Sequence, residues 1–261
     1  ISTPLSSFSL VSPNVLSYHI NAFTRINANL IARFDPARLG IEHRDVSLED
    51  FRHDTVGSVF QTDGEVVAWG TGVGNAGSQS CLGESGHSYW RIDGGRLEFA
   101  GYAYMGKSGR LSGVVSPVNN CQSLLEVNGG AVYSRKHTTE ENAGSAAGYL
   151  SVGAAGSLAH FYMTGGTYSC DNGGVYFAMG GVDGIGTTAI LTLDGPNAKF
   201  AATPTLAGQK GGTTVVNLNA GEIDAKTLMM RGGSNRDAAT YASVFFNGAT
   251  WKLQSGSTAL L

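Results

Sequence analysis

Ile92-Asp93-Gly94-Gly95-Arg96-Leu97-Glu98-Phe99 is a stretch that the chain writes repeatedly. It returns as Val127-Asn128-Gly129-Gly130-Ala131-Val132-Tyr133-Ser134 and as Met163-Thr164-Gly165-Gly166-Thr167-Tyr168-Ser169-Cys170. Later copies begin at Leu193-Asp194-Gly195, Leu218-Asn219-Ala220-Gly221 and Phe246-Asn247-Gly248. The polar anchors Asp93, Asn128, Thr164, Asp194, Asn219 and Asn247 stand 35, 36, 30, 25 and 28 residues apart. An imperfect period in this range is the trace that stacked structural repeats leave in a sequence.

Counting from each anchor, the third residue before it is Trp90, Leu125, Phe161, Leu191, Val216 or Val244, and the residue just before it is Ile92, Val127, Met163, Leu193, Leu218 or Phe246. All are apolar and the position between them is mixed, so the segment reads as a strand with one buried face. Glycine or alanine then marks a tight corner. Beyond it the fourth position is Leu97, Val132, Tyr168, Ala198, Ile223 or Trp251. The apolar phase has moved by five residues, which no straight strand allows, so the chain bends and resumes with its apolar side inward. A third apolar run follows, as in Ala103–Gly106, Leu150–Gly153, Phe177–Gly180 and Leu228–Gly232. Two strands, a corner and a third short strand form a rung that buries its inner face only against its neighbours. The reading is an all-β, single-stranded parallel β-helix, a β-solenoid of about seven rungs, over residues 60–261. The competing fold is an antiparallel β-sandwich or barrel. Phe60–Trp69 serves as a degenerate first copy anchored on Asp63. Stacking is expected to place Arg91 over Glu126, and Lys199, Asp224 and Lys252 in one column of alternating charge.

Residues 1–59 lack the repeat and form an N-terminal extended segment. Ile20, Ala22, Ile26, Ala28, Leu30, Ala32 and Phe34 share one parity, which reads as a long amphipathic strand, with a helix as the competing reading. Asp35-Pro36 ends it, and Ser47–Asp50 resembles the opening of a short helix. Ile20, Ala22, Ile26, Ala28 and Leu30 make a candidate assembly strand that caps its own solenoid or pairs with a neighbouring subunit. The first residue is Ile1, which reads as a processed chain or a fragment. Ser257–Leu261 stops where another strand could begin, so further sequence or another molecule is expected to cover that end.

With 261 residues, 38 glycines and only 14% charged residues, the composition fits an extracellular β-protein better than a cytosolic enzyme. A formal net charge of -3 with no basic face gives nucleic acid no footprint. No apolar run approaches the ~18 residues of a membrane-spanning helix. Cys81, Cys121 and Cys170 have no metal or redox spacing; one disulfide plus a thiol, or three thiols, are both compatible, and Cys170 falls in an inward column.

Gly72–Gly77 matches G-x-G-x-x-G, but a poor helix former, Ser78–Gly86, follows it, so no dinucleotide site is expected. Asp63 and Asp93 as stacked carboxylates could hold Ca²⁺ or share a proton, although Asn, Asp and Thr are ordinary corner formers. The insertions 107–122 and 137–148 are candidate binding loops or plain excursions. Outward Tyr133, Tyr162 and Phe245 are candidate surface contacts, for sugar rings or for neighbouring subunits. No Ser/His/Asp constellation and no metal spacing among the histidines stands out, so no catalytic residue, cofactor or metal is expected.

Leu191-Thr192-Leu193-Asp194-Gly195, followed by Gly211-Gly212-Thr213-Thr214-Val215-Val216-Asn217-Leu218-Asn219-Ala220-Gly221, resembles the autotransporter-associated β-strand repeat. Only this unit, roughly residues 190–225, matches well, with two residues between the valines and Asn-Ala-Gly. The resemblance implies a right-handed parallel β-helix in a secreted or surface-displayed bacterial protein, commonly a stalk, adhesin or fibre. The function expected is therefore a non-enzymatic extracellular structural or adhesive solenoid, self-associating or binding surface glycans. The alternative is a glycan-acting lyase or hydrolase, which should gather acidic and basic residues on one face.

Overall fold

The computed structural model describes residues 24–27, 30–33, 56–69, 80–84, 87–107, 121–135, 148–154, 156–170, 174–179, 187–206, 212–225, 229–230 and 241–253. Strands β1 (Thr24–Asn27) and β2 (Leu30–Arg33) precede a first rung of β3 (Val56–Gln61), β4 (Glu65–Trp69) and β5 (Ser80–Glu84). The second rung is β6 (His87–Ile92), β7 (Arg96–Ala100) and β8 (Tyr102–Lys107), and the third is β9 (Gln122–Val127), β10 (Ala131–Arg135) and β11 (Tyr149–Ala154). The fourth comprises β12 (Leu158–Met163), β13 (Thr167–Cys170) and β14 (Val175–Met179), the fifth β15 (Thr188–Leu193), β16 (Lys199–Ala201) and β17 (Pro204–Leu206). The sixth is β18 (Thr213–Leu218), β19 (Glu222–Ala225) and β20 (Met229–Met230), and β21 (Tyr241–Phe246) and β22 (Thr250–Leu253) begin a seventh.

Every third strand is a neighbour. Sheet 1 runs β2-β3-β6-β9-β12-β15-β18-β21, sheet 2 runs β1-β4-β7-β10-β13-β16-β19-β22, and sheet 3 contains β5, β8, β11, β14, β17 and β20. From β3 onward every pairing is parallel, and Leu193 lies in register with Leu218. The fold is a β-solenoid, as the corner repeat predicts.

The inner wall is built of columns. Ile92, Val127, Met163, Leu193 and Leu218 line one of them, and Leu125, Phe161, Leu191 and Val216 the next; all nine are wholly buried. Each such side chain contributes roughly 1.5–3 kcal/mol, which is what holds successive rungs together. In the middle of the stack Phe161 and Tyr168 meet edge to face at 5.2 Å, and Tyr168 stacks on Phe200 at 4.9 Å. The buried Tyr168 hydroxyl donates to Ser134 Oγ at 3.1 Å, and burial raises its pKa well above the usual tyrosine value.

The corner between sheets 1 and 2 shows why glycine recurs in pairs. Gly95, Gly130 and Gly166 have φ of 74°, 69° and 69°, a left-handed turn that glycine adopts without strain. The glycine before each has a different reason. A Cβ on Gly94, Gly129 or Gly165 would stand 2.3, 2.4 and 2.4 Å from the carbonyl oxygen of Thr62, Asp93 and Asn128 in the rung beneath. Backbone bonds stitch these corners together, for example Asn128 N to Ile92 O at 2.8 Å and Ala131 N to Gly95 O at 2.9 Å.

Several expectations need correction. Gln61 pairs with Ile92, so Thr62 rather than Asp63 lies beneath Asp93, and the two aspartates do not share a column. The fifth-rung corner spans Asp194–Ala198, two residues longer than the others, so Phe200 rather than Ala198 sits in register with Tyr168 and Ile223. Lys199 consequently lies beside Glu222, at 3.1 Å, and Lys252 reaches the same carboxylate at 2.6 Å. Asp224 and Lys252 are register partners, but the column of three charges does not form. Of the two cysteines whose burial is described, Cys121 is buried and Cys170 only half-buried; both are thiols.

In place of one long strand, β1 and β2 form two short strands that pair antiparallel with β4 and β3. Ile26 is the register partner of Val66, and Leu30 of Gln61. Ile20, Ala22 and Ala28 lie outside the described residues, as do Ser47–Asp50, Gly72–Gly77, most of both insertions and Ser257–Leu261.

Candidate functional surface

The outer face of sheet 1 carries a column of polar and aromatic side chains that runs through six rungs. Arg91, Glu126, Tyr162, Thr192, Asn217 and Phe245 stack in one outward column because each is the second residue before its corner. Arg91 and Glu126 are in register as expected, yet Arg91 Nε bonds Asp93 Oδ1 at 2.8 Å, which raises the guanidinium pKa. Glu126 instead accepts from the Tyr89 hydroxyl and from Asn128 Nδ2.

The anchors form a hydrogen-bonded ladder along the corner. Asn128 Nδ2 donates to Asp93 Oδ1 at 2.9 Å, and Thr164 Oγ1 to Asn128 Oδ1 at 2.5 Å. Asn219 Nδ2 donates to Asp194 Oδ1 at 3.0 Å, and Asn247 Nδ2 to Asn219 Oδ1 at 2.8 Å. Tyr162 adds its hydroxyl to Asp194 at 2.9 Å. The Asn219 amide and then Tyr162 hold the Asp194 carboxyl below its ordinary pKa, while burial and that bond raise the tyrosine. An anchor column of Asp, Asn and Thr is thus a ladder of side-chain pairs between rungs. Among the described residues no group of three His, Cys, Asp or Glu could hold a metal ion.

His160 sits beside Tyr162, in register with Leu124 and Ile190, and its Nε2 lies 3.0 Å from Thr192 Oγ1. Burial in this outer apolar stripe lowers its pKa to about 4. The sequence singled out no role for His160, since a lone histidine between apolar residues has no spacing signal.

The three expected aromatic contacts do not converge. Tyr162 and Phe245 share the column on sheet 1, three rungs apart, and Phe245 is 51% exposed. Tyr133 lies on sheet 2, where the Arg96 guanidinium covers its ring at 5.2 Å. Beside it Glu98 is buried between Arg96 and Arg135 and paired to both.

A cluster that sequence reading missed lies on sheet 3. Tyr104 and Tyr149 meet edge to face at 6.0 Å with their hydroxyls 2.7 Å apart, and Tyr149 meets Tyr176 at 5.5 Å. Lys107 Nζ stands 5.1 Å over the Tyr104 ring. Half-buried tyrosines with paired hydroxyls and a neighbouring cation can offer apolar ring surface and hydrogen bonds together, which is the chemistry a sugar surface takes. Comparison with protein-family models, with curated proteins and with solved structures finds no match.

Proposed function

We propose that this chain is a structural or adhesive β-solenoid of a secreted or bacterial cell-surface protein, one that presents side faces to glycans or neighbouring subunits and catalyses no reaction. The observation that carries this reading is the engagement of five outward carboxylates among the described residues. Asp93 is bonded to Arg91 and Asn128, Glu98 to Arg96 and Arg135, Glu126 to Tyr89 and Asn128, Asp194 to Tyr162 and Asn219, and Glu222 to Lys199 and Lys252. A glycan-acting hydrolase or lyase needs carboxylates or a base directed at substrate in a groove. These five are directed at neighbouring side chains and spent on cohesion between rungs.

The composition and the resemblance of residues 190–225 to the autotransporter-associated repeat support the extracellular setting. In that segment β15 supplies the leucine strand, β18 the Thr-Thr-Val-Val strand and Asn219–Gly221 the next corner. The test is incubation of the chain with a panel of cell-surface polysaccharides, reading both retention and chain length. Retention or indifference with unchanged chain length is the expected result. New reducing ends or unsaturated sugar products overturn the non-enzymatic reading. Protease shaving of intact source cells tests the location: the chain should be cut, and full protection would place it inside.

A further inference from the structure

We propose that Tyr104 and Tyr149 are a site of oxidative coupling, where a one-electron oxidant joins their rings into dityrosine and rivets the second rung to the third.

The register of sheet 3 sets up the pair. Tyr104 lies opposite Ser151 on β11 and Tyr149 opposite Tyr102 on β8, so the two tyrosines are diagonal neighbours on the outer face. Diagonal positions are within reach of aromatic side chains. Ser151, small and wholly buried, turns its hydroxyl to Gly153 O and leaves the space beside Tyr104 to the Tyr149 ring. The rings meet at 80° with centroids 6.0 Å apart, and their hydroxyl oxygens are 2.7 Å apart. Dityrosine joins two ring carbons, each ortho to its hydroxyl, on rings twisted out of a common plane, so its two oxygens can share a hydrogen bond. The folded chain already holds that oxygen pair and that twist, and coupling asks only the ring centres to approach. Both side chains are half-buried, so neither phenol is sealed in the core.

Other described tyrosines are arranged differently. Tyr89, Tyr162 and Tyr168 donate their hydroxyls to Glu126, Asp194 and Ser134. Tyr176 meets the Tyr149 ring at 5.5 Å, but its Cε2, Cζ and hydroxyl lie over Gly174, 2.9, 2.9 and 3.0 Å from where a Cβ there would stand. One of its two ortho carbons is thus turned to the backbone of its own strand. Lys107 Nζ over the Tyr104 ring makes that ring the harder one to oxidise, so Tyr149 gives its electron first.

Each phenol passes one electron to the oxidant and its hydroxyl proton to water. The two radicals pair their electrons in a carbon–carbon bond between ortho carbons. The hydrogens on those carbons then move as protons to the oxygens and restore both phenols. The sum is two C–H bonds broken, one C–C bond formed, two protons released and two equivalents of oxidant reduced. The bond closes a loop that contains both insertions, 107–122 and 137–148, and restrains the unfolded chain as a disulfide does. Coupling asks nothing of where the chain works or what it binds, so it can fail while the structural reading stands, and the reverse.

The experiment exposes the whole chain, dilute enough to suppress coupling between molecules, to a photo-oxidised ruthenium trisbipyridyl complex with persulfate. The expected result is dityrosine fluorescence in the monomer, a mass lighter by two hydrogens, and a proteolytic map that ties Tyr104 to Tyr149. Tyr104→Phe and, separately, Tyr149→Phe should each lower the monomer's yield at least tenfold, and Tyr176→Phe should leave it unchanged. The coupled chain should melt roughly 5 °C or more above the uncoupled one. Tyrosine consumed without a cross-link inside the monomer overturns the proposal, as does a cross-link that maps to Tyr149 and Tyr176 or forms equally well in urea. An unchanged melting point overturns the rivet.

Discussion

His160 shows how a single outward residue becomes part of the structure. Stacked between Leu124 and Ile190, it is held neutral, with its pKa lowered from 6.5 to about 4 by burial. Between those values the unfolded chain binds a proton that the folded chain refuses, so stability falls as pH drops from 6.5 towards 4 and is unaffected by this group above that window. The loss amounts to up to roughly 3 kcal/mol. Chemical denaturation at pH 7 and pH 4.5 checks it: His160→Gln should shrink the difference between the two, and an unchanged difference contradicts the burial. Gly129 carries a second prediction at this scale. Its absent Cβ would lie 2.4 Å from Asp93 O, a backbone atom that cannot swing away. Gly129→Ala should therefore cost about 2–3 kcal/mol in the same measurement. Sequence reading found these corner glycines but assigned them to turn geometry; the clearance between rungs is visible only once they are stacked.

Among elements, the third strands share a bend. Gly83, Gly106, Gly153 and Ala178 fall in one column of sheet 3, with φ of 77°, 63°, 75° and 55°. Side chains from the following turn brace it: Ser157 Oγ donates to Gly106 O at 2.6 Å and accepts from Ala154 N at 2.9 Å. Ala178 alone in this column adopts the left-handed conformation with a Cβ, at a cost of roughly 1–2 kcal/mol. Ala178→Gly relieves that strain and loses one buried methyl group worth about 0.8 kcal/mol, so its stability should match or slightly exceed that of the native chain. Gly106→Ala should lose at least about 1 kcal/mol. Thermal melts of the pair check this, and equal losses from both would contradict the shared bend. At this scale the sequence was partly legible. The strands of sheets 1 and 2 show through their period of two. The fifth-rung register was hidden because Pro196-Asn197 adds two residues, which preserves the apolar alternation at Ala198 and Phe200 in either alignment. The Tyr104–Tyr149–Tyr176 cluster was hidden because residues 136–147 separate β10 from β11 and obscure the spacing along sheet 3.

For the whole molecule, the account rests on rungs stacked in register, with every outward column measuring the same climb. The corner's odd phase shift made this architecture legible, since a sandwich has no need to restart its inward face after each Gly-Gly. A segment capping one end was legible as one of two readings of residues 20–34, but its division into two strands, antiparallel on β4 and β3, was not, because residues 1–59 carry no repeat to align. Arg91, Glu126, Tyr162 and Phe245 lie in one column of sheet 1, on rungs two, three, four and seven. Adjacent strands are about 4.8 Å apart, so the backbone at 245 should stand about 14 Å from 162, about 19 Å from 126 and about 24 Å from 91. Spin labels placed in these pairs and read by double electron–electron resonance in dilute monomer test the claim directly. The predicted result is a distance that lengthens by one strand spacing with each rung skipped. Distances that fail to rise in that order, or a 126–245 pair as close as neighbouring strands, would contradict the solenoid.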